Sequence, residues 1–175
     1  DHAGSLSLFP NARFHVQDAE LAFATSRQVC DAPTRAPFDG EPVAQLVRKL
    51  YADHVVFHDG DEDFAPGIRL CLAHGHTAGL QVVCCETARG TVVLASDAAH
   101  LYANITRKVP FPIFVDEADY ARAQSRALEL AGVDPTLPSP AGGEIVRDPR
   151  GDATGILKEN AMNVVARIIP PPDDA

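Results

Sequence analysis

No run of apolar residues in this 175-residue chain approaches the roughly 20 that a membrane-crossing helix requires, so a spanning helix is excluded. No excess of positive charge exists either. Fifteen Lys and Arg stand against 24 Asp and Glu, a net charge of −9, and a nucleic-acid partner needs the opposite, a basic surface for phosphate. The four cysteines, Cys30, Cys71, Cys84 and Cys85, form no Cys-x-x-Cys pair, which argues against a cysteine-built zinc site. Three of them lie in apolar runs, where a free cysteine behaves as a small hydrophobe. Buried, reduced thiols fit a cytoplasmic setting. No internal repeat appears, and the sequence as given opens on Asp1 without a charged-then-apolar stretch of the signal-peptide kind.

What is present suffices for one folded unit. At 175 residues and 46% apolar composition, the chain can bury a real core as a single domain over residues 1–175. Residues 12–17 alternate and predict a strand. Asp18 then offers a helix N-cap ahead of Leu21, Ala22 and Phe23. Residues 30–40, rich in Pro, Asp and Gly, predict a loop. Residues 41–51 predict a helix, with Val43, Leu46, Val47 and Leu50 on one face. Strands are expected over 54–58 and 68–72, separated by an acidic turn at 59–63. Residues 80–86 and 91–95 read as a hairpin turning about Ala88-Arg89-Gly90. Residues 117–130 predict a helix with Ala118, Ala121 and Leu128 toward the core. After Gly132 the composition shifts to Pro, Gly and Asp, and residues 157–169 read equally as helix or strand. Mixed strands and helices give an α+β or layered α/β class.

Two residues carry the chemistry. His76 sits in Ala73-His74-Gly75-His76-Thr77-Ala78-Gly79, just before the hairpin, and Asp97 follows its second strand in Leu94-Ala95-Ser96-Asp97-Ala98. If Thr87 pairs with Thr91, Gln81 falls opposite Asp97, so His76 and Asp97 meet at one end of the hairpin. An imidazole and a carboxylate converging there are what a metal site needs. Gly75 and Gly79 allow the backbone to turn around His76. Asp97, placed after an apolar strand, needs a cation or a hydrogen-bond partner. Asp1-His2-Ala3-Gly4 reads as the tail of a third metal-binding segment. The acidic stretch 59–63 lacks the later Glu of a calcium loop and reads as a solvated turn. His15, His54 and His58 read as strand or surface residues apart from any metal, and the adjacent Cys84 and Cys85 as packing residues on opposite faces of a strand.

The joint order of these segments resembles the metallo-β-lactamase fold, and within it the N-acyl-homoserine lactonase branch. Asp1-His2-Ala3-Gly4, Leu8-Phe9-Pro10-Asn11-Ala12, Gln17-Asp18-Ala19-Glu20, Asp59-Gly60-Asp61, Pro66-Gly67-Ile68, the run from Ala95 through His100 to Asn104, and Pro110-Phe111-Pro112-Ile113 carry the likeness. It covers residues 1–131 and fades over 132–175. The resemblance implies an αββα sandwich, here without its N-terminal strands, that holds two divalent metals, usually zinc, about 3.5–4 Å apart. His76 would bind the first metal, Asp1 and His2 the second, and Asp97 would bridge them. Such a pair opens a lactone ring with a metal-bridging hydroxide, an activity that quenches bacterial signalling. The branch often carries a Tyr just after the bridging Asp, with its hydroxyl near the reacting carbonyl. His100 stands where that Tyr would be, so Asp1, His100 and Tyr102 are counted as candidate catalytic residues, His100 or Tyr102 by contact with the substrate.

The implied partner is a small lactone or ester. Departures from the family pattern bear on activity. The family's His-x-His pair and its last His ligand have no counterpart among these residues, and Pro172 stands where that last His would be. With those ligands missing, the 175 residues alone are expected to be a non-catalytic remnant that binds zinc weakly or not at all and turns over no substrate; for the parent protein, a thiolester hydrolase of the glyoxalase-II type is the competing expectation. Loss of leading strands would expose a sheet edge prone to self-association as a homodimer.

Overall fold

The computed structural model describes residues 4, 6–36, 38–88, 90–101, 104–105 and 107–132, together with the backbone strand at 165–166. Two sheets organise them. Strands β1 (Phe14–Gln17) and β2 (Val55–His58) pair in parallel, Phe14 opposite Val55 and Gln17 opposite His58. A five-stranded sheet runs in the order β3 (Glu62–Ala65), β4 (Ile68–Leu72), β5 (Gln81–Thr87), β6 (Gly90–Leu94) and β7 (Val165–Ala166), antiparallel throughout.

The helices follow local signals. Helix α1 (Asp18–Ala24) leaves β1 directly and buries Leu21 and Phe23; its cap position is Gln17, so the structure assigns Asp18 to the first turn instead of the cap expected from sequence. There its charge favours the positive helix end. The expected loop at 30–40 contains a 3₁₀ turn, Arg27–Cys30, and a four-residue helix α2, Ala32–Arg35, capped by Asp31 accepting from the Thr34 N–H. Proline at the start of α2 is compatible with helix because its missing N–H is unbonded there anyway. Asp39 caps α3 (Gly40–Tyr51) through the Glu41 N–H at 3.0 Å, and Arg48 and Lys49 close its last turn. Asp116 caps α4 (Glu117–Leu130) through the Asp119 N–H at 2.8 Å.

The core lies between α4 and one face of the large sheet. Cys71, Val82, Cys84 and Val93 project from alternate positions of β4, β5 and β6 onto Ala123, Ala127 and Ala131. Alanine and cysteine at this contact let the helix sit close to the sheet. The buried face of α4 is Tyr120, Ala123, Gln124 and Ala127, at helical spacing. Ala118 and Ala121, expected inside, are exposed, and Leu128 is half-buried. Polar Tyr120 and Gln124 on the inner face mask it in the sequence.

Two further expectations change. The acidic stretch expected to be only a turn contributes β3, because Glu62 and Asp63 pair with Leu70 and Arg69. The hairpin register is one residue from that expected: Glu86, not Thr87, faces Thr91, and Thr87 faces Gly90. Gly90, paired with Thr87, belongs to β6 and not to the turn, and its φ of +106 is a value that glycine adopts without strain. The buried Gln17 joins the two sheets. Its amide donates to the Gln81 side chain at 3.1 Å and to the Gly60 carbonyl at 2.9 Å, and accepts from the Gly60 N–H. No helix among the described residues is long and apolar enough to cross a membrane.

Candidate metal centre

His76 is held from both sides of its loop. Gly75 takes φ +138, and a Cβ there would lie 2.3 Å from the Tyr120 backbone nitrogen. A Cβ on Gly79 would lie 2.2 Å from the Glu20 nitrogen. Both glycines therefore permit close approach, one to the start of α4 and the other to α1. The Glu20 carboxylate accepts from the Gly79 N–H at 2.9 Å, and the Gly75 carbonyl accepts from the Val115 N–H at 2.8 Å. The loop is thus clamped between two helices, and His76 is 4% exposed.

Asp97 comes from the 3₁₀ turn Ser96–Ala98, immediately after β6. Ser96 takes φ +46, a left-handed conformation costly for a residue with a side chain. The turn brings the Asp97 carboxylate, 8% exposed, against two imidazoles. His76 Nε2 lies 3.8 Å from Asp97 Oδ2, and His100 Nε2 lies 3.3 Å from Asp97 Oδ1. One donor atom from each of the three residues falls within 4.8 Å of the others. His74, two residues ahead of His76, points elsewhere, to Asp119 at 3.3 Å.

The outer nitrogens are also occupied. His76 Nδ1 lies 2.9 Å from the Ile113 carbonyl, which can only accept, so Nδ1 carries the proton and Nε2 offers a lone pair toward Asp97. His100 Nδ1 meets the Tyr120 hydroxyl at 3.1 Å, and its ring stacks on Phe111 at 4.1 Å between centroids. Burial, joined by the charge of Asp97, pushes the Tyr120 phenol above its ordinary value. It therefore stays a neutral hydroxyl that can donate or accept. An outer acceptor fixing a histidine's tautomer is the arrangement that orients metal-ligating imidazoles.

The donor chemistry fits a divalent cation: two nitrogen donors with one carboxylate, nearly dry, and oriented before any ion arrives. The sequence reading paired His76 with Asp97, and the structure brings these two together. It places His100 in the same group, whereas the sequence suggested only a substrate contact. Asp1, His2 and Tyr102 lie outside the described residues. Tyr120 and the Ile113 carbonyl escaped sequence reasoning. The Pro110-Phe111-Pro112-Ile113 segment was visible in the resemblance, but nothing in it indicated that a backbone carbonyl would be used.

Beside the group opens a cleft of about 440 Å³, whose walls include His76, Asp97, His15, Gln17, Glu20 and Gln81. It is large enough for a small organic ligand.

No family model matches the chain. An N-acyl homoserine lactonase of Bacillus thuringiensis is 28% identical over 120 residues, covering 67% of this chain and 42% of the relative. The solved structure of an N-acyl homoserine lactone hydrolase, with N-hexanoyl-L-homoserine bound at its catalytic metal centre, superposes with a TM-score of 0.60 at 25% identity. That match covers 77% of this chain and 49% of the other. A dizinc quorum-quenching lactonase shares the fold at a TM-score of 0.51 and 18% identity, over 69% of this chain and 44% of that one. The chain has the metallo-β-lactamase fold and is lactonase-like in sequence. It spans about two-fifths of the length of the curated relatives it matches, 42% of each lactonase.

Proposed function

We infer that the chain carries the metal-binding and substrate-facing part of a hydrolase that opens N-acyl homoserine lactones. The observation that carries this reading is the convergence of His76, Asp97 and His100, the first two lining a cleft, in a chain similar to such lactonases. Bound zinc would polarise the lactone carbonyl and lower the pKa of a coordinated water, supplying hydroxide near neutral pH.

The chain's own residues do the rest. His76 presents Nε2 because the Ile113 carbonyl holds the proton on Nδ1. Asp97 supplies negative charge at the centre and has two oxygens, one toward each imidazole, which suits it to bridge two cations. His100 serves as a donor to the cation in place of a substrate contact, since its Nε2 faces Asp97 and Tyr120 orients the ring from behind. Asp1 and His2 remain the proposed donors to a second cation, and Tyr102 a proposed substrate contact. The cleft wall, part polar and part apolar, would receive the lactone.

The test is hydrolysis by the zinc-loaded protein, with lactone and thiolester substrates compared. Lactone opening that disappears with chelator and with Asp97→Asn supports the reading. Thiolester cleavage without lactone opening replaces it by a glyoxalase-II-type activity. Zinc binding with neither activity leaves a cation-binding scaffold.

A further inference from the structure

A second histidine chain reaches the same cleft. His58 in β2 is buried, 4% exposed, and both of its ring nitrogens are used. Nδ1 lies 2.5 Å from Glu62 Oε2, and Nε2 lies 2.8 Å from His15 Nδ1. Parallel pairing sets His15 opposite Val56, two residues from His58, and Glu62 opens β3. The edge of Phe64 packs on the His15 ring at 4.7 Å between centroids. His15 itself lines the cleft that holds His76 and Asp97.

Proton placement follows from the partners. A carboxylate only accepts, so His58 Nδ1 carries hydrogen. In the neutral state His58 Nε2 must then accept, and His15 Nδ1 must donate to it. That leaves the lone pair of His15 on Nε2, for which the described residues offer no partner. We propose that Glu62, His58 and His15 form a proton relay that opens on the cleft through His15 Nε2.

The step balances. A bound hydroxyl or water gives its proton to His15 Nε2. His15 Nδ1–H passes its proton to His58 Nε2. The positive charge comes to rest on the His58 imidazolium, against the Glu62 carboxylate, and the reverse sequence returns a proton to an oxygen anion in the cleft. The cleft-facing nitrogen thus acts as base or acid while the charge sits one ring behind it. His58 and Glu62 are positioning residues. The charged groups that act on His15 are His58 on β2, Glu62 on β3 and Arg13 just ahead of β1, and Glu20, His76 and Asp97 line the same cleft. Burial first, then His58 and Arg13, lower the His15 pKa from its ordinary value, while Glu62 raises it. A neutral His15 at neutral pH is the form that the relay needs as base.

Use of this relay in ester hydrolysis rests on the hydrolase reading, whereas its existence does not. The test is ¹⁵N NMR of the imidazole nitrogens in the 175-residue chain, titrated through the histidine range. Both His15 and His58 are expected as Nδ1–H tautomers when neutral. Glu62→Gln should lower the pH at which His15 gains its proton, and His58→Gln should raise it. Glu62 is half exposed, so its variant keeps the test open if His58→Gln fails to fold. A neutral His15 carrying its proton on Nε2, or a His15 titration unmoved by Glu62→Gln, overturns the relay. A relay that passes these tests in a protein opening no lactone would instead remove the lactonase reading.

Discussion

His100 Nε2 lies 3.3 Å from an oxygen of Asp97, while its Nδ1 meets the hydroxyl of Tyr120 at 3.1 Å. Helix α4, which contributes no donor of its own, thereby sets the angle of a candidate ligand. Tyr120→Phe removes only the hydroxyl and keeps the packing. Cation affinity is expected to fall about 10- to 100-fold, the usual effect of losing an outer partner of a ligating histidine. Isothermal titration with zinc, wild type against variant, measures it. Equal affinities would show that His100 is oriented without Tyr120.

The loop around His76 depends on the absence of two side chains. Gly75→Ala and Gly79→Ala each place a Cβ within 2.3 Å of helix backbone. Backbone cannot give way as a flexible side chain can, so each substitution is expected to cost about 2–4 kcal/mol. Urea unfolding reads this directly. The Gly75 variant should also lose cation binding, because the segment carrying His76 must move.

Asp61 ties α4 to the sheet. Its carboxylate pairs with Arg126, lies 3.7 Å from Arg69, and accepts from the Leu72 N–H at 3.1 Å. These groups are partly exposed and screened, so Asp61→Asn should cost only about 1 kcal/mol. The loss should shrink in high salt if charge carries it, and a salt-independent loss would assign the effect to the Leu72 hydrogen bond.

The thiols predict a pH effect. Burial, followed by the neighbouring Cys71, pushes the Cys84 thiol up to about 12 from an ordinary 9.0. The folded state therefore favours the protonated thiol. Its contribution to stability is fully present below pH 9 and is lost as pH rises toward about 12. Chemical denaturation across that window should show the decline, and Cys84→Ala should flatten it. At pH near 8, a thiol reagent should label exposed Cys30 quickly and leave Cys71 and Cys84 unmodified in the folded protein.

Much of this was legible in the sequence, and the remainder has identifiable causes. The strand Ile68–Leu72 and the helix Glu117–Leu130 have the bounds that periodicity gives, because their flanking residues cap or turn. Strand β3 was hidden by its acidic residues, which look like a solvated turn until Arg69 is seen opposite Asp63. The inner face of α4 differs from the expectation because its largest buried side chain is a tyrosine, and a phenol does not announce a core position. His76 and Asp97 could be brought together by hairpin logic alone, even with the register off by one residue. His100 could not be, because its place depends on the 3₁₀ turn at 96–98 and on Phe111 and Tyr120, which are distant in sequence. The Glu62–His58–His15 chain was invisible for the same reason: it joins three strands.

The most direct test of the account is a Co²⁺ titration of the 175-residue chain, followed by visible absorption and repeated with His76→Ala, Asp97→Asn and His100→Phe. The account predicts that the wild-type chain takes up cobalt with the absorption of a nitrogen- and oxygen-ligated ion. Each substitution should abolish that spectrum while the far-ultraviolet circular dichroism stays unchanged. A wild-type chain that develops no such spectrum, or three variants that still develop it, would contradict the claim that these side chains share one cation.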